Sequence, residues 1–111
     1  GQGNGAPGGR QARALGTLDA GLAAFFADLG AFDTQVTVLV MTEFGRTLAQ
    51  NANAGTDHGN ASAWLVLGGG VRGGIHFGTR GWPGLAPEQL REGRDLAHAL
   101  EFKEVMAELL V

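Results

Sequence analysis

The stretch that decides the fold is VTVLVMTEFGRT, residues 36–47, because an apolar run passes directly into a polar one. Residues 36–41 are nearly all apolar and β-branched, as is typical of a strand buried on both faces. A second apolar run, AWLVL, covers residues 63–67. The segment between the two runs is polar and rich in Gly and Asn, and a loop of that length in a compact domain is usually functional or disordered. The sequence therefore predicts two buried strands joined by a long loop, and the residues at the ends of that loop are the place to look for a function.

Helical periodicity flanks the two strands. Residues 10–29 carry apolar side chains at helical spacing, and Gly30 is placed to end that helix. Residues 68–81 are dense in glycine and predict a turn or hairpin, whereas Asp95 is a candidate N-cap for a last helix. The order helix, strand, long loop, strand, hairpin, helix predicts an α/β fold with a layered sheet. Residues 1–9, GQGNGAPGG, read as a flexible lead-in, and residues 10–111 as the folded part.

The composition excludes several classes of function. The chain has 111 residues, of which 44% are hydrophobic and 17% charged, and this favours one packed domain over disorder. Its net charge of -3 and dispersed basic residues give no electrostatic footprint for nucleic acid. No run approaches the roughly eighteen apolar residues that indicate a membrane span, so none is predicted. The absence of cysteine excludes disulfides and thiolate chemistry and leaves the compartment open.

Four residues near the ends of the long loop are the candidates for chemistry. In open α/β sheets, ligands gather at the carboxyl ends of strands, and Glu43 and Arg46 directly follow the first apolar run. Asp57 and His58 come shortly before the second run. Two carboxylates and an imidazole can hold zinc or a similar divalent ion. The alternative left open here is that Glu43 and Arg46 form a surface ion pair and that His58 is solvated.

The remaining motifs give weaker signals. His76 in the glycine-rich segment and His98 near the end are expected to be exposed or structural. The run GGGVRG, residues 68–73, matches the glycine pattern of a dinucleotide-binding loop, but no helix-forming segment follows it. A nucleotide site is therefore not expected there.

Three segments together resemble a known family. They are VTVLVMTEFGRT at 36–47, GTDHGNASAWLVLGGGVRGG at 55–74 and GWPGLAPEQLREGRDL at 81–96, with LDAGLAAFFADL at 18–29 preceding them. In this order they resemble the C-terminal part of the bacterial family called domain of unknown function 1501. That family is similar to the alkaline phosphatase and sulfatase superfamily. The resemblance implies the C-terminal portion of an alkaline-phosphatase-like three-layer sandwich.

The resemblance also implies roles for individual residues. His58 followed by Gly59 resembles the superfamily's later metal-binding His-Gly, which makes His58 the first metal-ligand candidate, followed by Asp57 and Glu43. Phe44 stands where the superfamily places a second histidine, so one ligand is missing there. Arg46 would bind an oxygen of a phosphate or sulfate group, as a small anionic ester substrate requires. The nucleophile and the earlier ligands would lie upstream, in an N-terminal part of the same domain that this chain does not include.

Two functions follow as expectations. The first is that the chain is a fragment, inactive by itself, of a metal-dependent hydrolase that cleaves phosphate or sulfate esters. The alternative is a non-catalytic binding or surface-associated protein that keeps the fold. In either case the resemblance implies a bacterial exported or periplasmic protein, although the sequence itself carries no export signal.

Overall fold

The computed structural model describes residues 6–110 and combines helices with short antiparallel strands. The regular elements are two α-helices, α1 (Arg10–Leu29) and α2 (Phe102–Leu109), and four strands, β1 (Val38–Val40), β2 (Gly45–Arg46), β3 (His58–Gly59) and β4 (Leu65–Leu67). Three 3₁₀ turns lie at Gly30–Gln35, Gly78–Arg80 and Pro87–Gln89. This arrangement is consistent with the predicted α/β class, and it does not by itself define an alkaline-phosphatase-like sandwich.

Helix α1 has the predicted bounds and ends at Gly30, whose φ of 53° is readily adopted only by glycine. Ala6 to Gly9 form a turn into the helix, with the Gly9 amide donating to the Ala6 carbonyl at 2.8 Å. Residues 1–5 of the lead-in predicted for residues 1–9 lie outside the described residues.

Strands β1 and β4 pair antiparallel, with Val38 opposite Leu67 and Val40 opposite Leu65. Two strands alone leave both faces of the ladder partly open. As a result β1 is half-buried and Leu65 is exposed, and the expected burial of both strand faces is not reached within residues 6–110. The antiparallel pairing also places the end of β1 beside the start of β4. The indole Nε1 of Trp64 donates to the Thr42 carbonyl at 3.0 Å and closes the base of the long loop.

The loop contains a second small hairpin, in which β2 pairs with β3. Its register places Gly45 opposite Gly59 and Arg46 opposite His58. The ladder extends by one more step, because the Thr47 amide donates to the Asp57 carbonyl at 3.0 Å. The predicted long loop is therefore an ordered pair of extended segments.

The structure decides between the two predictions for the glycine-rich segment and corrects the prediction for the start of the last helix. Within residues 68–81 the structure has turns and no strand, so the turn forms and the hairpin does not, and Gly74, Gly78 and Gly81 all adopt positive φ. No α-helix directly follows the GGGVRG run, as expected, and a side chain at Gly68 would press against the Val36 carbonyl oxygen at 2.5 Å. Asp95 does not cap the last helix, which begins at Phe102.

Among residues 6–110 the buried side chains are polar and not apolar, and the other buried positions are glycines. No hydrophobic residue is fully buried, whereas Asp95 is 1% exposed and Thr47 is 8% exposed. Large apolar side chains remain open on the helices and loops: Leu15, Phe25, Phe32, Met41, Ile75, Trp82, Phe102 and Leu110 are examples. The centre of the described structure is thus a carboxylate and a hydroxyl group.

The helical region Arg10–Gln35 is long and apolar enough to cross a membrane, with a mean hydropathy of 1.3 in its most apolar window. Core helices of water-soluble proteins and signal sequences satisfy the same criteria. None of the helix residues is buried within the described chain. The absence of a membrane span therefore stays a prediction.

Two glycine-to-alanine substitutions should change stability in opposite directions. A Cβ at Gly16 in α1 meets nothing within 4 Å, so Gly16→Ala should raise the free energy of unfolding by about 1 kcal/mol through helix propensity. A Cβ at Gly45 would collide with the backbone of Ala61, so Gly45→Ala should lower it by about 1–3 kcal/mol. Chemical denaturation of both variants measures the difference. Equal effects at the two positions would contradict the packing of β2.

Candidate functional site

The β2–β3 hairpin has two chemically different faces. Paired residues of an antiparallel ladder project to the same face, and successive residues alternate between faces. Arg46 and His58 are a directly opposed pair and therefore share one face, which we call the outer face. Phe44, two residues before Arg46, lies on that face as well, with its ring stacked on His58. Gly45 and Gly59 form the opposite, inner face.

The inner face has no room for side chains at its two glycines. A Cβ on Gly59 would lie 2.6 Å from the Arg46 carbonyl carbon and 3.0 Å from the Cβ of Asp95. A Cβ on Gly45 would collide with Ala61. The glycines in the FGR and HGN sequences therefore let the hairpin approach the chain around Asp95.

Asp95 is the anchor of this inner face. Its Oδ2 accepts a hydrogen bond from the backbone N–H of Asn60 at 2.8 Å, and its Oδ1 accepts one from Nε of Arg94 at 2.8 Å. Nη1 of Arg91 lies 3.9 Å from Oδ2. Backbone bridges also join Asp95 to Thr47 and to Arg91. Through its carboxylate and its backbone, Asp95 thus ties together the residue after β3, the residue after β2 and the segment of residues 91–95.

The same contacts set the ionisation of the pair. The hydrogen bond from Arg94 holds the pKa of Asp95 below its ordinary value of 3.8, and burial acts in the opposite direction. The Asn60 amide and the charges of Arg94 and Arg91 lower this pKa further. In return, the hydrogen bond to Asp95 raises the pKa of Arg94. The ion pair is therefore intact throughout the neutral range.

The Asp95 network predicts a specific dependence of stability on pH. Because the folded-state pKa is lower than the unfolded one, the carboxylate stabilises the fold fully above the unfolded value, and this stabilisation is lost as the pH falls through the folded value. Asp95→Asn should lower the melting temperature at pH 7 and flatten the loss of stability in acid. Thermal melts from pH 2 to 7 measure both effects.

Asp19→Asn is the matched control for this measurement. Asp19 lies on the exposed surface of α1 and forms no ion pair within residues 6–110. This variant should keep the wild-type pH profile. An Asp95→Asn variant that melts like wild type at pH 7 would show that the carboxylate does not hold the hairpin.

On the outer face, the imidazole of His58 is oriented by an aromatic ring. The Phe44 and His58 ring centroids are 4.5 Å apart and the rings are nearly parallel, with 8° between their planes. Within the described part of the chain neither ring nitrogen of His58 has a hydrogen-bond partner. His98 differs, because its Nδ1 lies 3.1 Å from Asn60 Nδ2 and its Nε2 lies 2.8 Å from Glu101 Oε1. Of these two imidazoles, His58 is the one whose nitrogens are open to a ligand.

Arg46 lies beside His58, with its Nη1 donating to the Thr56 carbonyl at 3.0 Å. The alternative of a surface ion pair between Arg46 and Glu43 is wrong for the described structure. The ion pairs there are those of Asp95 with Arg91 and Arg94, and that of His98 with Glu101. Glu43 is exposed, in the bend just before Phe44. Arg46 and Glu43 are therefore both free of carboxylate or cation partners among residues 6–110.

Asp57 is placed away from His58, although the two are neighbours in sequence. It stands opposite Thr47 in the extended ladder and so belongs to the inner-face row of the hairpin. Its Oδ1 accepts a hydrogen bond from Asn51 Nδ2 at 2.9 Å, and its charge helps to raise the pKa of Arg94. The loop geometry thus ties Asp57 to Asn51 and leaves His58 with Phe44 and Arg46.

This arrangement limits what residues 6–110 can coordinate by themselves. The described residues include no group of three His, Asp or Glu side chains positioned to hold a metal ion. His58 fits as one ligand, since its nitrogens are open, and Glu43 is a carboxylate near the stacked Phe44. The three-residue set of His58, Asp57 and Glu43 remains a prediction.

Sequence reasoning missed the role of Asn60 and misassigned Asp95. The backbone N–H of Asn60 donates to the Asp95 carboxylate. The side-chain Nδ2 of Asn60 donates to the Leu96 carbonyl at 3.4 Å and contacts His98. The two residues are far apart in sequence, so no local spacing could reveal the pair. A polar residue directly after the HG dipeptide was the only signal available.

Comparison with protein families matches residues 5–107 to a family described as a protein of unknown function (DUF1501). The match covers nearly the whole sequence, and the chain belongs to this family. The predicted membership is therefore confirmed. No curated protein and no solved structure matches the chain.

Proposed function

We propose that this chain supplies the His58 wall of a metal-dependent hydrolase site that cleaves phosphate or sulfate esters. The observation that carries the proposal is the opposed pair of Arg46 and His58 on the outer face of the β2–β3 hairpin. Directly opposed residues have Cβ atoms about 5 Å apart, so an imidazole and a guanidinium can meet the same small ligand. The resemblance to the alkaline phosphatase and sulfatase superfamily supports the same assignment.

The chemistry follows from the two side chains. A neutral imidazole is a common zinc ligand, and a guanidinium offers two parallel donors to phosphate or sulfate oxygens. A divalent ion bound at such a site polarises the ester and stabilises the charge of the transferred group. Arg46 would orient the anion, and His58 would fix one coordination position. Because residues 6–110 bring too few ligands together, we propose that the others and the nucleophile come from outside them, in a bacterial exported or periplasmic protein.

The decisive measurement is the metal content of the full-length protein that contains this sequence. His58→Ala should lower the bound divalent metal, measured by elemental analysis after exhaustive dialysis, and should reduce ester turnover by at least about 10-fold. His76→Ala is the matched control, because His76 is also exposed but lies in the glycine-rich segment outside the hairpin. Metal content that is equal in wild type and His58→Ala would overturn the assignment.

A second candidate function has its own supporting observation. On the outer face, Phe44 occupies one face of the His58 ring, and Asp57 is bound to Asn51 on the other side of the hairpin. A site with so few convergent ligands is compatible with a protein that keeps the fold and binds an anionic partner without catalysis.

Turnover separates the two candidates. The hydrolase proposal predicts that the full-length protein cleaves a generic aryl phosphate or aryl sulfate and that a chelator abolishes the activity. Zinc or another divalent ion should restore it. Absence of turnover with a panel of divalent ions, together with anion binding that Arg46→Ala weakens, would favour the binding protein.

A further inference from the structure

We propose that Phe44 is a positioning residue that fixes the plane of the His58 imidazole and leaves both ring nitrogens open. The inference rests on the proposed function, because it assigns His58 as a ligand. It adds a role for a residue at which the family resemblance indicated only a missing histidine. The geometry is the nearly parallel stack, with centroids 4.5 Å apart and 8° between the ring planes.

Phe44 is itself held from both sides. Its amide donates to the Thr42 hydroxyl oxygen at 3.3 Å, and the Thr42 carbonyl accepts from the Trp64 indole at 3.0 Å. The next residue, Gly45, is buried and pressed against Ala61. The backbone around Phe44 is thus tied to the base of the loop before it and to the inner face after it. A ring mounted on this backbone is a fixed surface for His58.

A phenyl ring orients an imidazole in a way that a polar neighbour cannot. It contacts only the ring face and offers neither a donor nor an acceptor, so it cannot occupy a ring nitrogen. His98 shows the contrast, because Asn60 and Glu101 engage both of its nitrogens. Phe44 is 49% exposed among residues 6–110, and within them its ring contact is the stack on His58. The stack restricts rotation of the His58 ring and keeps its nitrogens at the accessible edge.

The test combines a spectroscopic signature with a binding measurement on the full-length protein. In this stacked geometry the ring current of Phe44 should shift the carbon-bound protons of the His58 imidazole to high field. Phe44→Leu should move these resonances toward their ordinary positions and weaken zinc affinity by about 10-fold, as loss of an orienting neighbour does. Phe44→Trp, which retains an aromatic face, should keep the shift and most of the affinity. Zinc titrations by competition with a chromophoric chelator give the affinities.

Phe32→Leu is the matched control. Phe32 is 63% exposed in the 3₁₀ turn after α1 and makes no ring contact within residues 6–110. The Phe32→Leu substitution should change neither the His58 resonances nor the zinc affinity. Far-UV circular dichroism and the chemical-shift dispersion of the backbone amide protons check the fold of each variant. If Phe44→Leu does not fold, Phe44→Trp provides the test.

The outcomes distinguish this inference from the proposed function. If His58→Ala lowers metal content but Phe44→Leu changes neither the resonances nor the affinity, the positioning role is overturned and the metal assignment stands. If His58→Ala leaves metal content unchanged while Phe44→Leu still moves the His58 resonances, the stack exists but the proposed function is wrong. A Phe44→Trp variant that folds but has lost the shift and the affinity would also overturn the positioning role.

Discussion

The hydrogen bonds and ion pairs of the buried Asp95 carboxylate are the interactions on which the rest of the described structure depends. This carboxylate accepts hydrogen bonds from the Asn60 amide and from Arg94 and is almost completely shielded from solvent. A buried carboxylate without partners would carry a large desolvation cost, so these contacts are required for the fold as well as formed by it. They also connect two segments that are distant in the chain. No apolar core in residues 6–110 performs that task.

The anchor and the candidate site are two sides of one hairpin. Gly45 and Gly59 allow close contact with the Asp95 side, and alternation along the strands then directs Arg46 and His58 to the other side. A substitution that disturbs the inner face would therefore also shift the side chains on the outer face. This coupling is a reason for a glycine beside each of the two candidate residues. It connects the two candidate residues to a structural ion pair on the opposite side of the hairpin.

The polar centre contrasts with the apolar surface. Helix α1 carries an apolar stripe, and the backbone of this helix is not close to any of the four strands. Several large apolar side chains on the helices and loops are exposed. The radius of gyration, 16.1 Å, exceeds the roughly 13 Å expected for a compact domain of 100 residues. The local order of residues 6–110 thus comes mainly from backbone pairing and the Asp95 contacts. Hydrophobic burial contributes less than in an ordinary domain of this size.

The sequence alone determined the features that depend on neighbours along the chain. These are the bounds of α1, its end at Gly30, the two apolar runs, and the loop that holds the candidate residues. Tertiary structure decided whatever depends on pairing. The extended pairing of residues 45–47 with residues 57–59 put Asp57 and His58 on opposite faces of the hairpin, and the contact with Asn60 changed Asp95 from a predicted helix cap to a buried anchor. Periodicity and capping are local, whereas a register and a carboxylate's partner are fixed only when distant segments meet.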